Sequence, residues 1–150
     1  MTDPTPLDIS ALGYVAVGTD RLDDWVEYAT TLIGLQRVDT SRVQTAFRMD
    51  DRKQRLVVSS EVQDDIGFIG WEVPSPEALD RVAARLDGCG VGVQAAPRAL
   101  CDQRFVGRMI WCHDPEGNRL EFFCDPEVTA DPFRPGRAIS GFKTGPFGMG

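Results

Sequence analysis

Apolar residues in the first half of the chain change from a strand-like to a helix-like spacing and back again. Residues 12–17 form a short apolar run that is typical of a strand. Residues 22–32 carry apolar side chains at helical spacing, which predicts an amphipathic helix with an N-cap signal at Thr19 and Asp20 and a stop at Gly34. Three further strands are predicted at residues 35–39, 43–49 and 54–59.

The second half repeats this order of elements, although the residues themselves differ. Residues 66–73 predict a strand, Ser75 provides a helix cap, and residues 78–86 have helical spacing up to Gly88 and Gly90. The strands predicted after this helix cover residues 91–95, 107–112 and 119–124, with a turn at residues 114–118 before the last of them. The pattern therefore predicts the unit βαβββ twice, and such a repeat fixes the architecture.

The fold class that follows is α+β. We expect two βαβββ modules, at about residues 9–61 and 65–125, to form a curved mixed sheet with helices on its convex face. Both modules belong to one domain, residues 1–125. Residues 126–150 contain four prolines and five glycines without apolar periodicity, so we expect a C-terminal strap or an inter-domain linker there.

Charge and composition exclude several classes of partner. The net charge of −7 disfavours nucleic acid, because a phosphate backbone would be repelled. No apolar run is long enough to span a membrane, and the N-terminal residues lack the pattern of a signal peptide. The four cysteines form no CxxC pair, which fits reduced thiols. We therefore expect a cytoplasmic protein with neither a nucleic acid nor a membrane partner.

Several stretches of the chain resemble a known family. Residues 9–17, 67–73 and 114–123, the last containing a DPEGN turn followed by Glu121, are similar to the N-terminal domain of two-domain extradiol dioxygenases of the 2,3-dihydroxybiphenyl 1,2-dioxygenase type. These enzymes belong to the vicinal-oxygen-chelate superfamily, with glyoxalase I and the bleomycin-resistance proteins. Residues 132–150 resemble the connection between the two domains, and that part of the resemblance is the more specific one.

The resemblance implies where a metal site would lie. Metal-binding members of the superfamily use a histidine on the first strand, a histidine or glutamate on the fifth and a glutamate on the eighth. Strand alternation places Leu12, Tyr14 and Ala16 on the concave side of the first strand, Phe68 on that of the fifth and Glu121 on that of the eighth. Tyr14, Phe68 and Glu121 therefore stand at the ligand positions, and of these Glu121 alone is a usual iron ligand.

Other metal sites are disfavoured as well. His113 is the single histidine, so a site of two histidines and one carboxylate cannot form within one chain. A zinc cluster of Cys112, His113 and Cys124 is unfavourable because neighbours on a strand point to opposite faces. We expect no catalytic residue, metal or cofactor in this chain. The resemblance implies Fe(II) for the parent enzyme, in a second domain that would begin with a histidine directly after Gly150.

Two interpretations of the concave side remain open. Tyr14, Phe68, Gly70, Glu121 and Phe123 could line a pocket for a small aromatic ligand. Alternatively the cleft is filled by its own aromatic rings, with Glu121 paired to an arginine because an unpartnered buried carboxylate is costly.

Two functions follow from these interpretations. One is the non-catalytic N-terminal half of an extradiol, or meta-cleaving, catechol dioxygenase of aromatic-compound degradation, packed against a catalytic C-terminal domain or identical subunits. The alternative is a stand-alone, metal-free module that binds small molecules, like the drug-sequestering bleomycin-resistance proteins. A lyase or isomerase of the glyoxalase type would need a metal, and the residues at positions 14 and 68 oppose it.

Overall fold

The computed structural model of the protein describes residues 8–62, 66–139, 144–145 and 148–149. The predicted module boundary near residues 61–65 lies partly outside this range. The main sheet of the described part has eight strands, which are β1 (Ala11–Gly18), β2 (Gln36–Thr40), β3 (Gln44–Arg48), β4 (Leu56–Ser59), β5 (Ile66–Glu72), β6 (Gln94–Ala95), β7 (Val106–His113) and β8 (Arg119–Pro126). A separate pair consists of β9 (Thr144–Gly145) and β10 (Gly148–Met149).

The strand order β2-β3-β4-β1-β5-β8-β7-β6 shows how the two repeats combine. In each repeat the first strand pairs in parallel with the last, β1 with β4 and β5 with β8. The two first strands then pair antiparallel at the centre of the sheet. This open mixed sheet confirms the predicted α+β fold of two βαβββ units, and it brings β1, β5 and β8 side by side.

Seven of the eight predicted strands are confirmed to within two residues at each end, a normal uncertainty for element boundaries. The exception is β6, for which the sequence predicts residues 91–95 and the structure has Gln94–Ala95 alone. Val91 instead belongs to the turn that closes the preceding helix, because its N–H donates to the carbonyl of Leu86. Both Val91 and Val93 pack against the core from this loop.

The helix of the first repeat differs from its prediction. It begins as α1 (Leu22–Glu27) and continues as a π-helical segment, Tyr28–Ile33. The wider turn ends where the N–H of Gly34 donates to the carbonyl of Ala29, five residues back, and Gly34 adopts the left-handed conformation with φ 91°. The expected cap at Thr19 and Asp20 is wrong: the N-cap is Arg21, whose N–H donates to Thr19 Oγ1.

The helix of the second repeat, α2 (Pro76–Gly88), agrees better with its prediction. Ser75 caps it by accepting a hydrogen bond from the N–H of Ala78. The helix buries Leu79 and Val82 against the face of the sheet formed by β7 and β8. A third helix, α3 (Arg98–Arg104), was not predicted and packs on β7 from the opposite face, where Cys101 joins the core around Tyr14.

The segment after β8 turns back over the first repeat. Arg48 donates from Nη2 to the carbonyl of Asp131, and the N–H of Arg134 donates to Gln36 Oε1. Gly136 donates from its N–H to the carbonyl of Gly34. No helix within the described residues is long and apolar enough to cross a membrane.

Candidate functional site

A bulge in β1 sets the direction of the side chains at the centre of the sheet. Leu12 pairs with Trp71 of β5, whereas the next paired residue, Tyr14, lies opposite Gly70. Gly13 is therefore an extra residue that interrupts the alternation. The prediction that Leu12 faces the concave side is wrong for this reason: it is 49% exposed and pairs with Trp71, which packs against the core on the side of α2.

Tyr14, Phe68 and Glu121 lie together on the face of the sheet that α3 covers. The hydroxyl of Tyr14 donates to Glu121 Oε2 at 2.7 Å. The ring of Phe68 meets that of Tyr14 edge to face at 5.7 Å, and Phe123 stacks on Tyr14 at 5.0 Å. The Tyr14 ring also needs Gly70, because a Cβ at position 70 would lie 2.3 Å from Tyr14 Cε2.

Two arginines neutralise the buried carboxylate of Glu121, which has no exposed surface. Arg104 of α3 donates from Nε to Oε2 at 2.9 Å and from Nη2 to Oε1 at 3.2 Å. Arg119 donates from Nε to Oε1 at 2.9 Å. The guanidinium of Arg104 lies 3.7 Å from the Phe68 ring centroid, and that of Arg119 lies 4.0 Å from the Trp111 ring centroid. Both carboxylate oxygens are therefore fully engaged.

The sequence reasoning did not identify either arginine. Arg119 could have been found, because it lies two residues before Glu121 on β8 and so shares its face of the sheet. Arg104 could not, because it comes from the helix that the apolar pattern did not predict.

The environment of Tyr14 fixes its protonation. Burial raises the pKa of the Tyr14 phenol well above its usual value, and the charge of Glu121 and the hydrogen bond to it act in the same direction. Arg104 and Arg119 oppose this rise in pKa more weakly. Tyr14 is thus a neutral hydrogen-bond donor at physiological pH and does not act as a catalytic base.

The residues at these positions do not fit a metal ion. Phe68 has no ligand atom, and a divalent cation at Glu121 would have to displace two guanidinium groups of like charge. Within the described ranges, no three His, Cys, Asp or Glu residues are grouped closely enough to hold a metal. Cys112 and Cys124 lie in the core beneath α2, while His113 ends β7 on the surface with its ring 5.4 Å from that of Trp111.

Little space is left beside this cluster. The cavity that Tyr14, Phe123 and Arg104 border has a volume of about 10 Å³. A single water molecule needs roughly 10–15 Å³ measured in this way, so an aromatic ligand does not fit. Together with the contacts of the Tyr14 ring with Phe68 and Phe123, this small volume favours the second interpretation of the concave side, a cleft filled by its own side chains.

Comparison with known proteins identifies relatives of the chain. A family model described as Dihydroxybiphenyl dioxygenase BphC D1 matches residues 12–60. The chain is 34% identical to a biphenyl-2,3-diol 1,2-dioxygenase of Sphingomonas paucimobilis, covering 95% of this chain and 48% of that protein. It is 36% identical to a 3-methylcatechol 2,3-dioxygenase of Pseudomonas putida, covering 96% and 50% respectively.

Solved structures give the same result. A catechol 2,3-dioxygenase superposes with a TM-score of 0.85 at 36% identity, covering 91% of this chain and 47% of that one. A halotolerant catechol dioxygenase, BphC, superposes with a TM-score of 0.86 at 30% identity, covering 95% and 48%. The chain thus spans about half the length of the relatives that it matches. In sequence and in fold the chain corresponds to the N-terminal half of two-domain extradiol dioxygenases, which have the vicinal-oxygen-chelate fold.

Proposed function

We propose that this chain is the non-catalytic half of an extradiol dioxygenase that cleaves a catechol beside its two hydroxyl groups during the breakdown of aromatic compounds. The observation that carries the proposal is the state of Glu121. It is the one usual iron ligand among the three equivalent positions, and its two oxygens already accept four hydrogen bonds. A side chain that is neutralised in this way stabilises the fold instead of binding substrate or metal.

The division of labour in the parent enzyme follows from this role. Fe(II) would bind the catecholate and dioxygen in the other half of the enzyme, and both oxygen atoms would enter the cleaved ring there. The present half, a domain of two modules over residues 1–125, would pack against that catalytic half or against identical subunits in the cytoplasm. Residues 126–150 would serve as the strap or linker towards it, and the hydrogen bonds of Arg48 and Arg134 along this segment support that assignment.

The alternative of a stand-alone ligand-binding module gains no support from the site. Such a module needs a concave pocket of several hundred cubic ångströms for a drug-sized molecule, roughly 300–1,000 Å³ in known binding sites. The cavity that Tyr14, Phe123 and Arg104 border has about 10 Å³. A small aromatic ligand at the concave side would require the displacement of Phe68, Phe123 or the arginines.

Ring cleavage is the direct test. The purified 150-residue chain is mixed anaerobically with Fe(II) and 2,3-dihydroxybiphenyl or 3-methylcatechol, oxygen is admitted, and the yellow ring-fission product is followed by absorbance. We expect no product from the chain alone. We expect product when the same chain is fused to the C-terminal half of one of the relatives, because that half would supply the iron site.

Two outcomes would contradict the proposal. Product formed by the chain alone, at a rate that falls when Glu121 is changed to glutamine, would show that this half is itself catalytic. A fusion that is folded and loaded with iron but inactive would show that this half does not support the reaction. The isolated C-terminal half, assayed in parallel, is the control for activity that does not need this chain.

A further inference from the structure

A second polar cluster lies beside the first and is not completely paired. Arg52, in the turn between β3 and β4, donates from Nη2 to Glu72 Oε1 at 2.8 Å. Glu72 is the last residue of β5, so this ion pair joins the first repeat to the second. The N–H of Arg52 donates to Asp50 Oδ1, which fixes the turn that carries the guanidinium.

In the ion pair of Arg52 with Glu72, one donor atom and one acceptor atom have no hydrogen-bond partner. Besides Asp51 Oδ1, which lies 3.6 Å from Arg52 Nη1 in a side chain that is 43% exposed, the buried atoms without a hydrogen-bond partner among the described residues are Arg52 Nε and Glu72 Oε2. The side chains themselves are 12% and 10% exposed. Buried polar atoms in native proteins are nearly always hydrogen-bonded to protein or to ordered water, so each of these two atoms calls for a partner.

The space for such a partner is present. Arg52 and Glu72 both line the cavity of about 10 Å³ that also borders Tyr14 and Arg104. That volume suffices for about one water molecule and for nothing larger. Nearby groups have other partners: the Arg55 guanidinium binds Asp50 and the carbonyls of Leu12 and Gly13.

The chemistry of the two atoms selects the occupant. It must accept a hydrogen bond from a guanidinium N–H and donate one to a carboxylate oxygen. A halide cannot donate, and an ammonium or metal ion cannot accept. A water molecule does both, and buried waters typically make about three hydrogen bonds to groups that would otherwise lack partners.

We propose that one buried water molecule bridges Arg52 Nε and Glu72 Oε2 and so completes the contact between the two repeats. The water is an integral part of this junction. It lies in the cavity that the Tyr14 and Arg104 side chains also line.

The test has a crystallographic and a solution arm. A crystal structure of the 150-residue chain, at a resolution that shows ordered waters, is expected to contain one density peak within hydrogen-bonding distance of both atoms. Water relaxation dispersion in solution is expected to detect a molecule with a long residence time in the wild type. This signal should be lost in Glu72→Leu and kept in Glu127→Gln, a control at the exposed ion pair with Lys53 on the same cavity.

Specific results would overturn the proposal. One is a crystal structure in which Arg52 and Glu72 form two parallel hydrogen bonds with no density between them. Another is Lys53 Nζ, instead of a water, in contact with Glu72 Oε2. A third is a long-lived water signal that persists unchanged in Glu72→Leu. Since the wild-type crystal structure does not depend on any variant folding, the proposal stays testable if Glu72→Leu is unstable.

Discussion

Replacement of Glu121 by leucine would remove the acceptor of four hydrogen bonds and leave Arg104 and Arg119 without their shared carboxylate. The side chains of these arginines are 13% and 24% exposed, so water replaces the lost partner only in part. Removing one member of a buried ion pair costs about 3–5 kcal/mol. We expect the free energy of unfolding to fall by about 3 kcal/mol, the lower end of that range, because both arginines keep some solvent access.

Urea denaturation at neutral pH, followed by tryptophan fluorescence, measures this loss. A triple variant, Glu121→Leu with Arg104→Met and Arg119→Met, removes the charges together and should recover most of the stability, because well-packed apolar residues often replace a buried ionic cluster at little cost. Glu116→Leu, in the exposed turn before β8, is the matched control, with an expected change within about 0.5 kcal/mol.

Two results would refute this reasoning. A Glu121→Leu variant as stable as the Glu116→Leu control would show that the ion pairs of Glu121 contribute nothing to folding. A triple variant less stable than the single one would show that the arginines contribute through contacts other than the carboxylate, such as the rings of Phe68 and Trp111.

Three more predictions follow from the same contacts. The folded-state pKa of Tyr14 is raised, so its contribution to stability is complete below about pH 10, the unfolded value, and is lost as the pH rises further. In urea titrations the wild type should therefore lose more stability than Tyr14→Phe between about pH 9 and pH 11. Gly70→Ala forces a Cβ against the Tyr14 ring and should lower the free energy of unfolding by about 1–3 kcal/mol in thermal unfolding. Gly88→Ala, with open space around it, should lower it little, and equal losses would contradict the close packing at Gly70. A thiol reagent should modify exposed Cys89 rapidly in the native chain and Cys124 slowly, because burial raises the pKa of the Cys124 thiol to about 11; equal rates would contradict the burial of Cys124.

The sequence contained the pattern that places Tyr14, Phe68 and Glu121 together. Period-two alternation puts all three side chains on one face, although β1 carries a bulge before Tyr14, and the repeat of βαβββ units makes their strands neighbours at the centre of the sheet. Alternation failed at Leu12, because one extra residue, Gly13, moves the side chain before it to the other face.

The helical parts of the chain were less predictable. The apolar stripe of residues 22–32 fits an α-helix and does not distinguish the wider π turn that the structure has at Tyr28–Ile33. Helix α3 is seven residues long and exposes most of its surface, so it has little apolar periodicity to detect. The arginine that this helix supplies, Arg104, is a tertiary contact and cannot be derived from local pattern.

The central claim is that two arginines neutralise the carboxylate of Glu121, which stands at a position where the family resemblance implies a metal ligand. Anaerobic incubation of the purified chain with Fe(II), gel filtration and metal analysis test it most directly. We predict that the wild-type chain elutes with far less than one iron per molecule. The amount of retained iron should rise only in Arg104→Met, which frees part of the Glu121 carboxylate. Stoichiometric iron in the wild type, lost in Glu121→Gln, would contradict the account.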